Sequence, residues 1–257
     1  MEIPLSVVLA AYNEAANIAD CLKSVRGLAE EMIVVDGSST DQTREIAKKL
    51  GAKVFKVKNI PIFHYNKQLA VDKASGRWIL QLDADERLTP ELIKEIKPII
   101  KPGKPKYTGY YLPRKNWFLS RFLTKGGQYP DYVIRLFLKD RGHFPCESVH
   151  EQMVIDGPVG YLKNPLIHLA DRSFNRYMLR FNRYTSLDAD KLFKQKTPAG
   201  FWLGFNYMLI KPFAWFIMTY FRHKGLVDGW PGFIFCLMSS LRFPVIYLKL
   251  WEKYHAR

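Results

Sequence analysis

The alternation of short β-branched apolar runs with helical periodicity constrains this chain more than any other feature. Runs at 5–10, 32–36, 53–57 and 78–83 read as strands, and their near-continuous apolar character suits a sheet covered on both faces. Between them, 14–25 sets Ile18, Leu22 and Val25 on one stripe, and 41–50 does the same with Ile46, Ala47 and Leu50 before Gly51. A third helix is expected over 65–74, ahead of Gly76. Strand–helix alternation at this spacing predicts an α/β fold with a Rossmann-like, mostly parallel sheet. Ligands of such sheets bind outside the carboxyl ends of the strands. Tyr12, Asn13 and Glu14 follow the first strand, Asp36 and Gly37 the second, and Asp83, Ala84 and Asp85 the fourth.

The segment Trp78-Ile79-Leu80-Gln81-Leu82-Asp83-Ala84-Asp85-Glu86 carries an apolar strand straight into a cluster of carboxylates. Packed carboxylates repel one another unless a cation lies between them. On an extended segment Asp83 and Asp85, two apart, point the same way. Hard oxygen ligands with few protein contacts suit Mg²⁺ or Mn²⁺ that also holds a diphosphate. A D-x-D alone also reads as a solvated loop capping a helix that starts near Pro90.

The first strand–helix turn, Ala11-Tyr12-Asn13-Glu14, lacks G-x-G-x-x-G and G-K-[ST], so neither a dinucleotide fold nor a P-loop is expected. A metal, with Lys67 as a second positive group, is the alternative means of holding a diphosphate. Asp36 and Glu14 read as acceptors for a base and a ribose hydroxyl. Asp36 equally reads as an Asx-turn residue before Gly37, Asn13 as a cap of the first helix, and Asp41 as a cap or first-turn residue of the second.

Beyond Pro102 the pattern loosens. Strands are expected at 107–113 and 132–139, and 158–169 returns to the sheet. From Asp171 onward, Arg172, Arg176, Arg180 and Arg183 interleave with Phe174, Tyr177, Phe181 and Tyr184. Two apolar tracts follow, 201–221 and 226–251. The first has the length of a bilayer span, but Pro212 interrupts it and Trp202, Tyr207, Trp215 and Tyr220 spread along it. Helices lying in a membrane surface are expected, with a soluble helical cap on the sheet as the alternative. Residues 172–257 hold 14 of the 39 Lys and Arg but 4 of the 24 Asp and Glu, a balance that calls for an acidic partner, anionic lipid or nucleic acid, and the apolar tracts favour lipid. No nucleic-acid-binding motif accompanies that excess, so no nucleic-acid partner is expected. Cys21, Cys146 and Cys236 form neither a zinc pattern nor a disulfide framework and read as free thiols of a reducing compartment. Met1-Glu2-Ile3-Pro4 leads into the first strand with no basic leader and long apolar run, so no cleaved leader is expected.

Three blocks in order, Val7-Val8-Leu9-Ala10-Ala11-Tyr12-Asn13-Glu14, Ile33-Val34-Val35-Asp36-Gly37-Ser38-Ser39-Thr40-Asp41 and Ala74-Ser75-Gly76-Arg77 running into the carboxylate segment, resemble family 2 glycosyltransferases of the GT-A fold. Shorter blocks, Pro130-Asp131, Arg135-Leu136-Phe137, Val149-His150-Glu151 and Leu226-Val227-Asp228-Gly229, are similar to the branch of lipopolysaccharide-core glucosyltransferases. That resemblance implies a GT-A catalytic domain over 1–170 and a helical, basic and apolar membrane-associating region over 171–257. It implies inverting, metal-dependent transfer from a nucleotide-sugar, most often a UDP-sugar, to a lipid-linked or lipopolysaccharide-core acceptor at the cytoplasmic face of the inner membrane. Ala11, Tyr12, Glu14, Asp36, Lys67, Asp83 and Ala84 would face the nucleotide, and Asp85, Asp83 and His150 would ligate Mg²⁺ or Mn²⁺. His150 and His168 read as candidates for a third metal ligand or for a phosphate contact. The acceptor hydroxyl needs a carboxylate base within hydrogen-bond reach. Glu151 is the first choice, with Asp131 and Glu147 as alternatives. Competing classes are a nucleotidyltransferase, whose Gly-rich basic N-terminal signature is absent, and a membrane-bound nucleotide-binding scaffold. The Q-x-x-R-W block of processive polymer synthases is absent too.

Overall fold

The computed structural model describes residues 4–60, 64–146 and 152–255; Glu147, His150 and Glu151 lie outside the described residues. The chain divides into two compact units, residues 1–114 with 132–168, and residues 115–131 with 169–257.

The first unit is built on β1 (Leu5–Ala11), β2 (Glu31–Asp36), β3 (Lys53–Lys56) and β4 (Trp78–Leu82), with helices α1 (Ile18–Ser24), α2 (Thr43–Lys49) and α3 (His64–Lys73) between them. After β4 come β5 (Glu86–Leu88) and α4 (Pro90–Ile99), then β6 (Gly109–Phe118), β7 (Arg121–Phe122), β8 (Asp131–Leu138), β9 (Gly142–His143), β10 (Val154–Ile155), β11 (Val159–Tyr161) and β12 (Leu166–Asp171). The main sheet runs β3-β2-β1-β4-β8-β6-β12-β5. The β3-β2-β1-β4 half is parallel, whereas β4–β8 and β12–β5 are antiparallel. The sheet is therefore the mostly parallel α/β arrangement expected for the first hundred residues, extended by antiparallel strands.

Period-2 alternation explains why the strands are apolar throughout. Leu5, Val7 and Leu9 of β1, with Trp78, Leu80 and Leu82 of β4, pack against Ile18 and Leu22 of α1 and Leu92 and Ile96 of α4. Val8 and Ile79 point the other way, to Ala70 and Val71 of α3 and to Phe137. Burying each such side chain contributes about 1.5–3 kcal/mol. Gly76 is required by close approach: a Cβ there would sit 2.5 Å from the Ser6 amide nitrogen.

α1 begins four residues later than its periodicity predicts. The amides of Glu14 and Ala15 donate to Thr43 Oγ1 (2.8 Å) and Asp41 Oδ2 (3.0 Å), so residues 14–17 form a turn tied to the next loop instead of a first helical turn. α4 starts at Pro90 as expected, with Thr89 accepting the Leu92 amide at 3.1 Å.

The second unit takes in 115–131 as well as the C-terminal residues. Helix α5 (Phe174–Lys194) is capped by Ser173 and buries Tyr177, Thr185 and Ala189. A long C-terminal helix, Gly229–His255, supplies Ile246 and Leu250, which pack with Ala189, and Phe235, which packs with Phe118 and Tyr177. Asp228, fully buried, accepts the Thr124 amide and hydroxyl and the Lys125 amide, each at 2.8 Å. Residues 201–222 form one helical run, and here the expected interruption at Pro212 does not occur. A π-helical stretch, Asn206–Ile210, precedes it, and Pro212 falls at the opening of the following α-helical stretch, where a missing N–H is tolerated. The 225–255 segment is long and apolar enough to cross a membrane, by length and composition alone.

Candidate active site

Parallel pairing of Ala11 with Asp36 sets the carboxyl ends of β1 and β2 side by side. Asn13 adopts φ 55°, donates its amide to Ser39 Oγ (2.9 Å) and accepts the Thr40 amide on Oδ1 (2.8 Å). Asn13 therefore bridges the two loops and does not cap α1. Asp41 accepts the Ala15 amide on one oxygen and the Thr43 amide and hydroxyl on the other. Burial alone would raise its carboxyl, but those hydrogen bonds outweigh it and hold the group below its ordinary value. Asp36 is buried: its carboxylate accepts the Ser39 amide (3.0 Å) and hydroxyl, and Arg44 reaches it at 3.2 Å. Its turn-forming alternative is the one seen in these bonds. Glu14 Oε2 accepts Asn17 Nδ2 at 2.7 Å, Ala11 is buried, and the Tyr12 ring stands about half exposed at the lip.

Asp83 to Glu86 is a turn, not the extended segment expected: the Glu86 amide donates to the Asp83 carbonyl, and the Asp83 amide to Glu86 Oε2, both at 2.9 Å. The turn sends the carboxylates different ways. Asp83 Oδ1 meets Lys67 Nζ at 2.5 Å and Gln81 Nε2 at 3.3 Å, while Oδ2 accepts Arg135 at 2.7 Å. Glu86, fully buried, accepts the same guanidinium at 2.8 Å and has Arg114 at 3.8 Å. Arg135 also donates to Gln81 Oε1 at 2.6 Å. Burial would push the Asp83 carboxyl up; the charges of Arg135 and Lys67 prevail and hold it well below the carboxylate range. The cations between these carboxylates are thus the chain's own side chains.

Asp85 faces elsewhere. Pairing of β12 with β5 sets His168 opposite Glu86, and His168 Nε2 lies 3.7 Å from Asp85 Oδ1. Both side chains keep some exposure, and together they offer an oxygen and a nitrogen donor at the carboxyl end of the central strand. Among the described residues no group of three His, Cys, Asp or Glu side chains converges as a metal cage. Ala84 is buried, its carbonyl accepting Arg87 at 2.6 Å. Asp131, in the second unit, accepts Asn116 Nδ2 at 3.0 Å. Glu151, Glu147 and His150 fall outside the described residues.

Sequence reasoning did not single out Arg114, and met Arg135 and Glu86 only as members of longer blocks, with no role of their own. The signal for Arg135 was a single cation within the otherwise apolar run Tyr132-Val133-Ile134-Arg135-Leu136-Phe137-Leu138. The cavity lined by Ser75, Gly76, Arg77, Lys139 and Arg141, about 360 Å³, is at the other end of β4 from Asp83.

A family model described as "Glycosyl transferase family 2" matches residues 6–154. A lipopolysaccharide core biosynthesis glycosyltransferase, LpsC of Rhizobium meliloti, is 26% identical over 98% of this chain and 94% of its own length. An uncharacterized glycosyltransferase of Rickettsia typhi is 31% identical over 90% of this chain and 80% of its own. Among solved structures, the mannosyltransferase PcManGT of Pyrobaculum calidifontis, in complex with GDP-Man and Mn²⁺, superposes with a TM-score of 0.58 at 12% identity, over 98% of this chain and 88% of that one. At that identity the likeness concerns the α/β GT-A-type fold.

Proposed function

The chain belongs to glycosyl transferase family 2, and on that premise we propose that it moves a sugar, with inversion, from a nucleoside-diphosphate sugar to a lipid-linked or lipopolysaccharide-core acceptor. A UDP-sugar is the first choice of donor. The acceptor class is supported by the naming of the Rhizobium meliloti relative, and the use of a divalent ion by the Mn²⁺ complex of the Pyrobaculum calidifontis enzyme.

One observation carries the reading: Asp85 and His168 stand together at the carboxyl end of β4, beside an Asp83 already neutralised by Lys67 and Arg135. A carboxylate and an imidazole fit Mn²⁺ or Mg²⁺, which fills the rest of its shell with phosphate oxygens and water. When bound, the ion would stabilise charge on the departing diphosphate. Asp83 then serves to orient the Lys67 ammonium and the nucleotide side of the pocket, with Asp85 as the metal carboxylate. Tyr12 and Glu14 are assigned to the nucleoside end, with the buried Asp36 holding the Ser39 turn behind them, between loops that Asp41 ties together. Glu151 is assigned the acceptor proton, with Asp131 and Glu147 in reserve, and His150 is kept as a further ligand. Residues 1–170 form the catalytic domain in this reading, and 171–257 hold it on the inner membrane's cytoplasmic face through helices and excess positive charge.

Thermal shift with UDP, GDP and CDP, with and without Mn²⁺, tests the donor site. A metal-dependent rise with one nucleotide that disappears in Asp85→Ala is expected. Undiminished, chelator-insensitive affinity in that variant removes Asp85 from the metal. Glu151→Gln should abolish transfer with nucleotide binding intact, and near-native turnover would rule out that residue as base.

A further inference from the structure

Within 201–222 every fourth residue from Phe201, namely Phe205, Leu209, Phe213, Ile217 and Phe221, is apolar, and all six are between 40% and 75% exposed. On an α-helix with 3.6 residues per turn, a spacing of four drifts by about 40° at each step, and by about 200° over this length. Such a stripe would end facing nearly opposite to where it began.

The helical run does not let that happen. Asn206–Ile210 and Met218–Arg222 are π-helical, and the Lys211 and His223 amides donate five residues back, to Asn206 and Met218. The wider i→i+5 turn rotates less per residue than the α turn. Two such stretches, alternating with Phe201–Phe205 and Lys211–Ile217, take up the drift. The opposite line confirms the period. Tyr207, Lys211, Trp215 and Thr219, two residues out of step, face the protein: the Tyr207 ring lies 6.1 Å from that of Phe243, Lys211 Nζ stands 5.7 Å over the same Phe243 ring, Trp215 Nε1 donates to Ser239 Oγ at 3.1 Å, and Thr219 is buried.

We infer that the line from Phe201 to Phe221 forms a straight apolar ridge that lies flat in an anionic lipid surface, embedded at one shallow depth along its whole length. This rests on the membrane-associating reading of the C-terminal region and adds to it a face and a depth. Charge complementarity selects lipid as the occupant. Exposed Lys194 and Lys196 precede the ridge and exposed Arg222 and Lys224 follow it, so both ends carry cations at headgroup level. Lys211, midway, is on the packed line, out of the lipid.

The test uses the full chain with Cys146→Ser and a polarity-sensitive fluorophore on single cysteines placed at 205, 209, 213 and 217, or at 207 and 215. Vesicles of equal parts phosphatidylglycerol and phosphatidylcholine carry quenchers either near the headgroup or near the tail end. The ridge positions should be quenched alike by the shallow quencher and little by the deep one, with 207 and 215 unaffected. Depth graded from one end to the other means a span and overturns the inference. Shielding of the ridge that follows protein concentration without lipid means that a second copy covers it, which also overturns it. If the wild-type chain does not sediment with these vesicles, the membrane reading itself fails. As a second measurement, the triple variant Phe205→Glu, Leu209→Glu, Phe213→Glu should lose vesicle partitioning by about a hundredfold or more. Its melting temperature and nucleotide binding should be retained; unchanged partitioning counts against the ridge.

Discussion

Replacing Arg135 with Met isolates the electrostatics of the carboxylate turn. In the wild type one guanidinium serves Gln81, Asp83 and Glu86, with contacts of 2.6, 2.7 and 2.8 Å. Methionine fills much of the volume but leaves Glu86, fully buried, with only the distant Arg114 at 3.8 Å among the cations that reached it. Asp83 fares better because Lys67 stays at 2.5 Å. Removing one partner of a buried pair costs about 3–5 kcal/mol, and the surviving cations put this site at the lower end, about 3 kcal/mol. Against a total stability of about 5–15 kcal/mol that is a large loss, read as a fall in urea midpoint at neutral pH. The sign with pH follows from Asp83, whose folded carboxyl is held well below its unfolded value. Its contribution is fully present above the unfolded value and is lost as pH falls through the folded one. The variant lacks much of that contribution from the outset, so its deficit should shrink as the pH falls below about 4. Adding Glu86→Gln to Arg135→Met should recover part of the loss, because it removes the stranded charge. A single-variant cost under about 1 kcal/mol, or a deficit that neither acid nor Glu86→Gln reduces, would refute the reasoning.

Further outcomes can be checked on the same denaturation and exchange assays. Glu31 is buried, yet Lys53, Ser6 and Ser75 overcome the effect of burial and lower its carboxyl from 4.5 to about 2. It should contribute about 3 kcal/mol above pH 4.5, lost as pH falls toward 2, and Glu31→Gln should flatten that acid limb of the urea midpoint. Gly76→Ala drives a Cβ to 2.6 Å from Ser6 Oγ and 2.5 Å from its amide nitrogen, and should cost about 2 kcal/mol; a neutral substitution would mean that β1 and the β4 entry shift freely. Asp228→Ala leaves the Thr124 and Lys125 amides without their acceptor, and should cost about 3 kcal/mol and speed hydrogen exchange at those two amides. Unchanged exchange would refute the latch.

How much of this could be read from the chain alone depends on how local each determinant is. β1, β2 and β4 announce themselves because each residue's burial is set within its own strand, Val7 and Val8 facing opposite layers of the same core. The start of α1 is decided by Asp41 and Thr43, 26 and 29 residues away from the amides they hold, and no periodicity within 14–25 carries that information. Asp83 is similar: the D-x-D is visible, but its engagement by Arg135, 52 residues on, emerges only when β8 pairs beside β4. The Pro212 expectation fails for another reason. Helix propensity treats proline as a breaker, whereas a preceding π turn supplies a place where its missing donor costs nothing. Phe201, Phe205, Leu209 and Phe213 were legible as apolar residues, and their alignment depends on backbone winding that composition does not encode.

The stitching of residues 13–15 to 39–43 has a thermodynamic consequence. Asn13, Asp41, Ser39 and Thr43 fix both strand-end loops through the protein's own bonds. The conformational entropy of these segments is therefore surrendered during folding, before any ligand arrives. Any ligand entering between them meets preorganised walls, so more of its contact energy appears as affinity and less is consumed in ordering the host.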